Sequence, residues 1–315
     1  MKLVVTIPAY NEQATIGKVI REIPEKIAGI DSIEILVIDD GSADSTVKEA
    51  KNAGAKVIRN MKNCGLAFTF SRGMKTALEM GAGIIVNTDA DFQYNQAQIP
   101  LLVKPVIEGS AEIVLGSRFA GNIEYMPFQN KLGNLAVSFI MRGITGLPLT
   151  DTQTGFRAFS REAALRINVF SDYTYTQETI LEAYEKKISM VEVPVDFRKR
   201  EGKSRLISNI FSYAKRVGLT IMVAYLNYRP LRVFFSLGAL LCVAGFVFGF
   251  RVIVHFLNTG MVSPYIPSAL VSALLLILGF EAIVLGLLAE LIKRNRKVQE
   301  ELLYLQKKNS LAKKG

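Results

Sequence analysis

With 315 residues, half of them hydrophobic, the chain is long enough for one large α/β domain and something more, because single cores seldom grow beyond roughly 250–300 residues. Lysine and arginine exceed aspartate and glutamate by 10, much of the excess between Arg198 and Arg216 and again after Ile292. Such a balance suits nucleic acid or an anionic membrane surface, and the neighbouring apolar segments decide for the membrane, with no nucleic-acid partner expected. The single histidine, His255, lies in an apolar segment, which removes Ser/His and Cys/His triads and His-ligated zinc from the rest of the chain. Cys64 and Cys242 lie in segments too different to suggest a bridge, so a reducing compartment is the default. Met1 leads straight into a strand pattern, so no signal peptide is expected.

Leu3 to Ile7 is a β-branched run closed by Pro8, and the apolar positions Ile16, Val19, Ile20 and Ile23 recur at helical spacing. A second strand-turn-helix unit follows: Ile33 to Ile38, the turn Asp39-Asp40-Gly41-Ser42, then Asp44 to Ala53 with Ser42 or Asp44 as cap. Gly54 ends that helix, Lys56 to Ile58 reads as a third strand, and Gly65 to Met80 as a helix leading into a strand at Ile84. The strand ends at Asn87, and Asp89 and Asp91 follow one residue apart. In open α/β sheets ligands bind at such strand ends. The two carboxylates either share a hard cation, which keeps part of its shell for water and substrate phosphates, or form a solvated turn. Ile99 to Ile107 reads as a helix interrupted by Pro105, before a strand from Glu112 to Leu115. Strands alternating with helices argue a mostly parallel, doubly wound sheet.

After Gly116-Ser117-Arg118 the alternation lapses. Lys131 begins an apolar helix-compatible segment running to Ile144, and Asp151 to Arg157 forms a polar turn. Thr176 to Lys187 reads as a helix carrying Glu178, and Met190 to Phe197 as the last strand. Arg198 to Arg205 is a basic, glycine-containing loop. From Leu206 to Tyr228 basic and apolar residues interleave, as in helices lying in a membrane interface; an ordinary surface helix is the alternative. Val233 to Phe250 and Ile266 to Ile292 are apolar stretches of spanning length. The connection from Leu257 to Tyr265 has no lysine or arginine, whereas Lys293, Arg294, Arg296 and Lys297 follow the second stretch, so both termini are expected in the cytoplasm. Glu281 stands within the second span, either as a functional group or as a carboxyl that stays protonated or pairs across the hairpin or an oligomer contact.

Taken together, Val5-Thr6-Ile7-Pro8-Ala9-Tyr10-Asn11-Glu12, Val37-Ile38-Asp39-Asp40-Gly41-Ser42, Asp89-Ala90-Asp91-Phe92-Gln93, Gly116-Ser117-Arg118 and Asp151-Thr152-Gln153-Thr154-Gly155-Phe156-Arg157 resemble the family-2 glycosyltransferases. With Gly202-Lys203-Ser204 and the membrane hairpin, the chain is similar to the branch that makes polyprenyl-phosphate sugars, the dolichol-phosphate mannose and glucose synthases. The resemblance covers about residues 3 to 230 in motif order. It implies a GT-A fold of Rossmann-like α/β class, Mg²⁺ or Mn²⁺, and inverting transfer of one hexose or N-acetylhexosamine from a UDP- or GDP-sugar to a polyprenyl or dolichyl monophosphate at the cytoplasmic membrane face. The implied organisation is a catalytic domain over 1–204, interfacial helices over 205–230, two spans over 231–292 and a basic cytoplasmic tail over 293–315, with a homo-oligomer through the hairpin as a further expectation.

By the same resemblance, Pro8, Ala9, Tyr10 and Glu12 match the nucleotide-binding first loop, and Asp39 the carboxylate that contacts base or ribose. Asp89, Asp91 and Gln93 match the metal and diphosphate motif, Arg200 and Lys203 the donor diphosphate site. Arg118 matches a basic residue at the lipid phosphate; its other candidate role is pairing with Glu112 or Glu124. Lys131 stands where relatives often carry arginine, keeping a point charge but losing bidentate geometry. Tyr94-Asn95 replaces a common His-Pro, which leaves sugar and nucleotide open. Asp151 is a structural turn carboxylate or a sugar-orienting one, and Glu178 a residual base or a helix-surface charge. A transferase acting on a glycan or protein would be expected to carry a Gln-x-x-Arg-Trp element, and the chain has no tryptophan. A non-catalytic membrane binding or flippase module is opposed by the intact acidic positions.

Overall fold

The structure, a computed structural model, describes residues 1–169, 175–199 and 230–312. The chain divides into two units, Met1–Val217 with Leu302–Gly315, and Gly218–Glu301. The first is built on strands β1 (Lys2–Ala9), β2 (Ser32–Asp39), β3 (Lys56–Arg59), β4 (Ile84–Asn87), β5 (Ile113–Ser117), β6 (Arg157–Ser160) and β7 (Met190–Pro194). Its helices are α1 (Ile16–Glu22), α2 (Thr46–Asn52), α3 (Leu66–Glu79), α4 (Ile99–Ile107), α5 (Phe128–Thr145), α6 (Arg161–Arg166) and α7 (Thr176–Glu185). The sheet runs β3-β2-β1-β4-β6-β5-β7. β4 and β5 are buried along their whole length, as is β1 beyond its first residue, which is why these segments read as continuous apolar runs rather than alternating ones. One core packs Val5, Ile7, Val37 and Val86 of the sheet with Ile16 and Val19 of α1 and Leu102 and Val103 of α4.

Strand order reverses between β1 and β4, both parallel to one another, so the loops leaving β1, β2 and β4 open at one edge around a topological switch point. β6 departs from the alternating plan: it lies antiparallel between β4 and β5, pairing Asn87 with Arg157 and Leu115 with Arg157. That register brings the start of β6, and the Asp151–Phe156 turn before it, to the same edge. α4 continues through Pro105 instead of breaking there. The carbonyl that loses its donor belongs to Leu101, which is exposed and can be hydrated.

In the second unit, α8 (Pro230–Thr259) and the first part of α9 (Ile266–Ala312) are both long and apolar enough to cross a membrane. Their contact is close: a Cβ added at Gly279 would meet the Gly238 carbonyl oxygen at 2.8 Å, and Ser272 Oγ donates to the Gly245 carbonyl at 2.7 Å. Small residues permit this approach where the hydrophobic effect between helices is absent. Glu281 is exposed on α9.

The segment expected as a basic tail stays helical to Ala312, and its last turns belong to the first unit. There Tyr304 Oη donates to Glu162 Oε1 at 2.7 Å, Lys307 Nζ to Asn168 Oδ1 at 2.7 Å, and Arg166 lies 5.3 Å from the centre of the Tyr304 ring. The expected interfacial helices lie outside the described residues.

Candidate active site

The loops after β1 and β2 are sewn together. Asn11 takes a left-handed φ of 54°, donates its backbone N–H to Ser42 Oγ at 2.9 Å and accepts from Ala43 N at 2.8 Å, while Glu12 N donates to Thr46 Oγ1 at 2.8 Å. Pro8 and Ala9 pair with Ile38 and Asp39, and Tyr10 projects outward, 39% exposed, at the mouth of this double loop. Asp39 is fully buried: its Oδ2 accepts from Ser42 N and pairs with Arg59 Nε, both at 3.2 Å, whereas Oδ1 has no hydrogen-bond partner among the described residues. A buried acceptor left bare costs about 1–3 kcal/mol, a cost that a donor from outside the described residues would remove. Asp40, by contrast, is consumed within the fold, accepting from Asn60 Nδ2, Cys64 N and Gly65 N at 2.8–2.9 Å.

Asp89 and Asp91 leave the end of β4 as the sequence places them. Phe92, at φ 61°, turns the chain, and Gln93 N donates to Asp91 Oδ1 at 3.2 Å. Gln93 Nε2 donates to the Arg198 carbonyl at 3.3 Å, which directs the other end of the amide, Oε1, away from that contact. Asp89 packs on Gly155: a Cβ there would stand 2.7 Å from Asp89 Oδ1 and 2.9 Å from Tyr175 Oη. Tyr94, replacing the common His-Pro, is buried beneath, its hydroxyl accepting from Gly155 N at 3.1 Å. Burial pushes that hydroxyl up to about 12, with Arg118 opposing and Asp89 and Asp151 reinforcing.

Arg118 is buried and meets an acid, but neither Glu112 nor Glu124. Its Nε donates to Asp151 Oδ2 at 2.6 Å, its Nη2 to Oδ1 at 2.8 Å, and its backbone N–H to Oδ2 at 3.1 Å. With its amide turned to satisfy its neighbours, Asn134 of α5 accepts from Nη2 at 3.2 Å. Nη1 makes no hydrogen bond among the described residues. Burial alone would lower the guanidinium, but Tyr94 and Asp151 hold it above its ordinary value, with Asp89 adding to the effect. Asp151 is fully buried, with both carboxylate oxygens bonded to Arg118. Lys131 is exposed one helical turn before Asn134, and Glu178 is half-buried in the first turn of α7.

Arg157 has no role in the sequence reading. It is fully buried, with Nε on the Thr154 carbonyl at 2.8 Å, Nη2 on Thr152 at 3.1 Å and Nη1 on Thr176 at 2.8 Å. It thereby fixes the turn that carries Asp151 and Gly155. Arg198 reaches back to Glu22 at 2.6 Å and lies over Phe92 at 4.5 Å. Arg200 and Lys203 lie outside the described residues. No cluster of three His, Cys, Asp or Glu able to hold a metal occurs among the described residues. Asp89, Asp91 and Gln93 Oε1 would offer an all-oxygen donor set, which fits a hard divalent cation that completes its shell with water and substrate phosphates and does not suit a soft one.

The fold and this edge define a GT-A glycosyltransferase. The chain belongs to glycosyl transferase family 2, whose model matches residues 4–167. It is similar to the UDP-N-acetylglucosamine–dolichyl-phosphate N-acetylglucosaminyltransferase of Methanococcus voltae, 34% identical over 214 residues covering 60% of this chain and 82% of that one. To the dolichol-phosphate mannosyltransferase of Pyrococcus furiosus it is 32% identical over 231 residues, covering 69% of this chain and 63% of that one. Among solved structures it resembles glucosyl-3-phosphoglycerate synthase from Mycobacterium tuberculosis, with a TM-score of 0.56 and 21% identity over 71% of this chain and 79% of that one, a likeness of fold.

Proposed function

We propose that this glycosyltransferase moves one sugar from a nucleotide sugar to a polyprenyl or dolichyl monophosphate. The names of the two relatives support this acceptor. The observation that carries it is Arg118: a buried guanidinium fixed by Asp151 through Nε and Nη2, its Nη1 without a hydrogen bond among the described residues, beside the charge of Asp89.

The chemistry follows from the parts. A phosphate monoester has a second pKa of about 6 and is largely dianionic near neutrality, so the nucleophile needs no strong base and the lack of a histidine in this unit is no obstacle. A phosphate oxygen forms a bond to the anomeric carbon from the face opposite the donor, while the bond from that carbon to the nucleoside diphosphate breaks and its electron pair leaves with the diphosphate. Asp39 Oδ1 receives a base or ribose donor, and the loop Pro8, Ala9, Tyr10 and Glu12 cradles the nucleoside. Asp89, Asp91 and Gln93 would hold Mg²⁺ or Mn²⁺, which neutralises the diphosphate as it departs. Arg200 and Lys203 are assigned to the same diphosphate. Arg118 and Lys131 hold the acceptor phosphate in line, and such positioning can supply roughly 7–11 kcal/mol of the barrier reduction. The lysine and arginine bias around the spans assigns the catalytic unit and both termini to the cytoplasm.

Arg118→Ala would leave the buried Asp151 carboxylate without its cation, held only by the backbone N–H groups of residue 118 and Gln153, at a cost of about 3–5 kcal/mol. Arg118→Lys keeps the charge and loses the fork. It is expected to raise the KM for lipid phosphate about ten- to a hundred-fold, equivalent to roughly 1.5–3 kcal/mol, with nucleotide affinity unchanged. Loss of nucleotide binding, or unaltered dependence on lipid phosphate, removes Arg118 from the acceptor site.

A further inference from the structure

Helix α5 carries its polarity on the unexpected side. Its buried face includes Asn134, Ser138 and Thr145, and the first two serve the site: Asn134 meets Arg118, and Ser138 Oγ lies 3.1 Å from Thr152 Oγ1 while accepting from Thr152 N. Its outer face is a stripe of large apolar residues at spacings of four, three and four. Phe128, Leu132, Leu135 and Phe139 are 77%, 58%, 39% and 70% exposed. Lys131 and Arg142 project along the same stripe, the Arg142 guanidinium 6.0 Å from the centre of the Phe139 ring. No aspartate or glutamate occurs between Phe128 and Thr145. Just before the helix, Tyr125 is exposed with Lys199 Nζ 5.6 Å from its ring.

An apolar stripe of this size on a water-soluble surface marks a contact. The charges of the helix itself select the partner: Lys131 and Arg142, with no acid between Phe128 and Thr145, match a surface of anionic headgroups over an apolar interior, where long basic side chains reach the phosphates while aromatic and leucine side chains enter the acyl boundary. We propose that the outer face of α5 is a membrane-docking surface, with Phe128, Leu132, Leu135 and Phe139 immersed and Lys131 and Arg142 at the level of the lipid phosphates. The inner face of the same helix then presents Asn134 and, through it, Arg118 within one helix diameter of the bilayer. That consequence rests on the lipid-phosphate acceptor proposed above; the docking itself does not.

The absence of tryptophan makes the test direct. Phe139→Trp in the full chain, reconstituted in vesicles of equimolar phosphatidylcholine and phosphatidylglycerol, places a single fluorophore on the stripe. Phe248→Trp in α8 serves as the immersed control and Phe68→Trp at the exposed start of α3 as the wet one. The docked face gives blue-shifted emission at Phe139→Trp, quenched several-fold by brominated acyl chains and less so when phosphatidylglycerol is left out. Emission matching Phe68→Trp overturns the proposal, and so does blue-shifted emission that bromine does not quench, because the face is then covered by protein, either another segment of this chain or a second copy. Quenching in a protein that forms no lipid-phosphate product leaves the docking intact and removes the acceptor assignment instead.

Discussion

The place of Asp89 just past the end of β4 follows from local sequence, because the apolar run ends at Asn87. What holds its carboxylate does not. Gly155 lies 66 positions away, and its contact with Asp89 exists only because antiparallel β6 returns the Asp151–Phe156 turn to the edge where β4 ends. Gly155→Ala therefore places a methyl group 2.7 Å from Asp89 Oδ1, and the carboxylate must move. The expected result is a shift of roughly tenfold, about 1.4 kcal/mol, in the Mg²⁺ concentration for half-maximal turnover, in a protein that still folds. An unchanged metal titration would separate Asp89 from the metal. Arg157 was invisible for a related reason: an arginine closing a polar turn reads as solvated, and only the fold supplies the carbonyls of Thr152, Thr154 and Thr176 that let it be buried. The partner of Arg118 was misjudged on the same grounds, since Glu112 and Glu124 are near in sequence and Asp151 is near in space.

At the scale of elements, the strand and helix pattern through β5 was readable because each strand is a continuous apolar run and each following helix has its own period. β6 broke that logic: four residues beginning with a buried arginine carry no strand signal, and its direction is set by its neighbours. The end of α9 shows a comparable effect. Lysine and arginine after Ile292 read as a solvated tail, yet Tyr304 and Lys307 find partners on α6 and just beyond it. Tyr304→Phe removes the hydrogen bond to the Glu162 carboxylate and the one accepted from Lys308 Nζ, together worth about 1–2 kcal/mol, and should lower the midpoint of thermal unfolding of the catalytic unit by roughly 2–8 °C. Glu162→Gln combined with Tyr304→Phe should cost less than the sum of the two. Strict additivity would show that the contact carries no stability.

For the whole molecule, length and hydropathy alone pointed to a large α/β domain plus two apolar segments of spanning length, because hydropathy is a sum that needs no fold, and two such helices are present among the described residues. The proposed orientation rests on sums of the same kind and has its own test. In a background lacking Cys64 and Cys242, Ser263→Cys should react with an impermeant thiol reagent applied outside intact cells, and Ser310→Cys should not; the reverse pattern would place the catalytic unit away from cytoplasmic nucleotide sugars. The central claim is the acceptor, and the most direct measurement is a product mass. The purified full chain, with Mg²⁺ and a panel of UDP- and GDP-sugars, is incubated with dolichyl phosphate or with dolichol, and the lipids are read by mass spectrometry. The account predicts a gain of one hexose or N-acetylhexosamine on the phosphate with one donor, none on dolichol, and none in chelator. Sugar transferred to dolichol, or donor consumed in full without any glycosylated lipid phosphate, would contradict it.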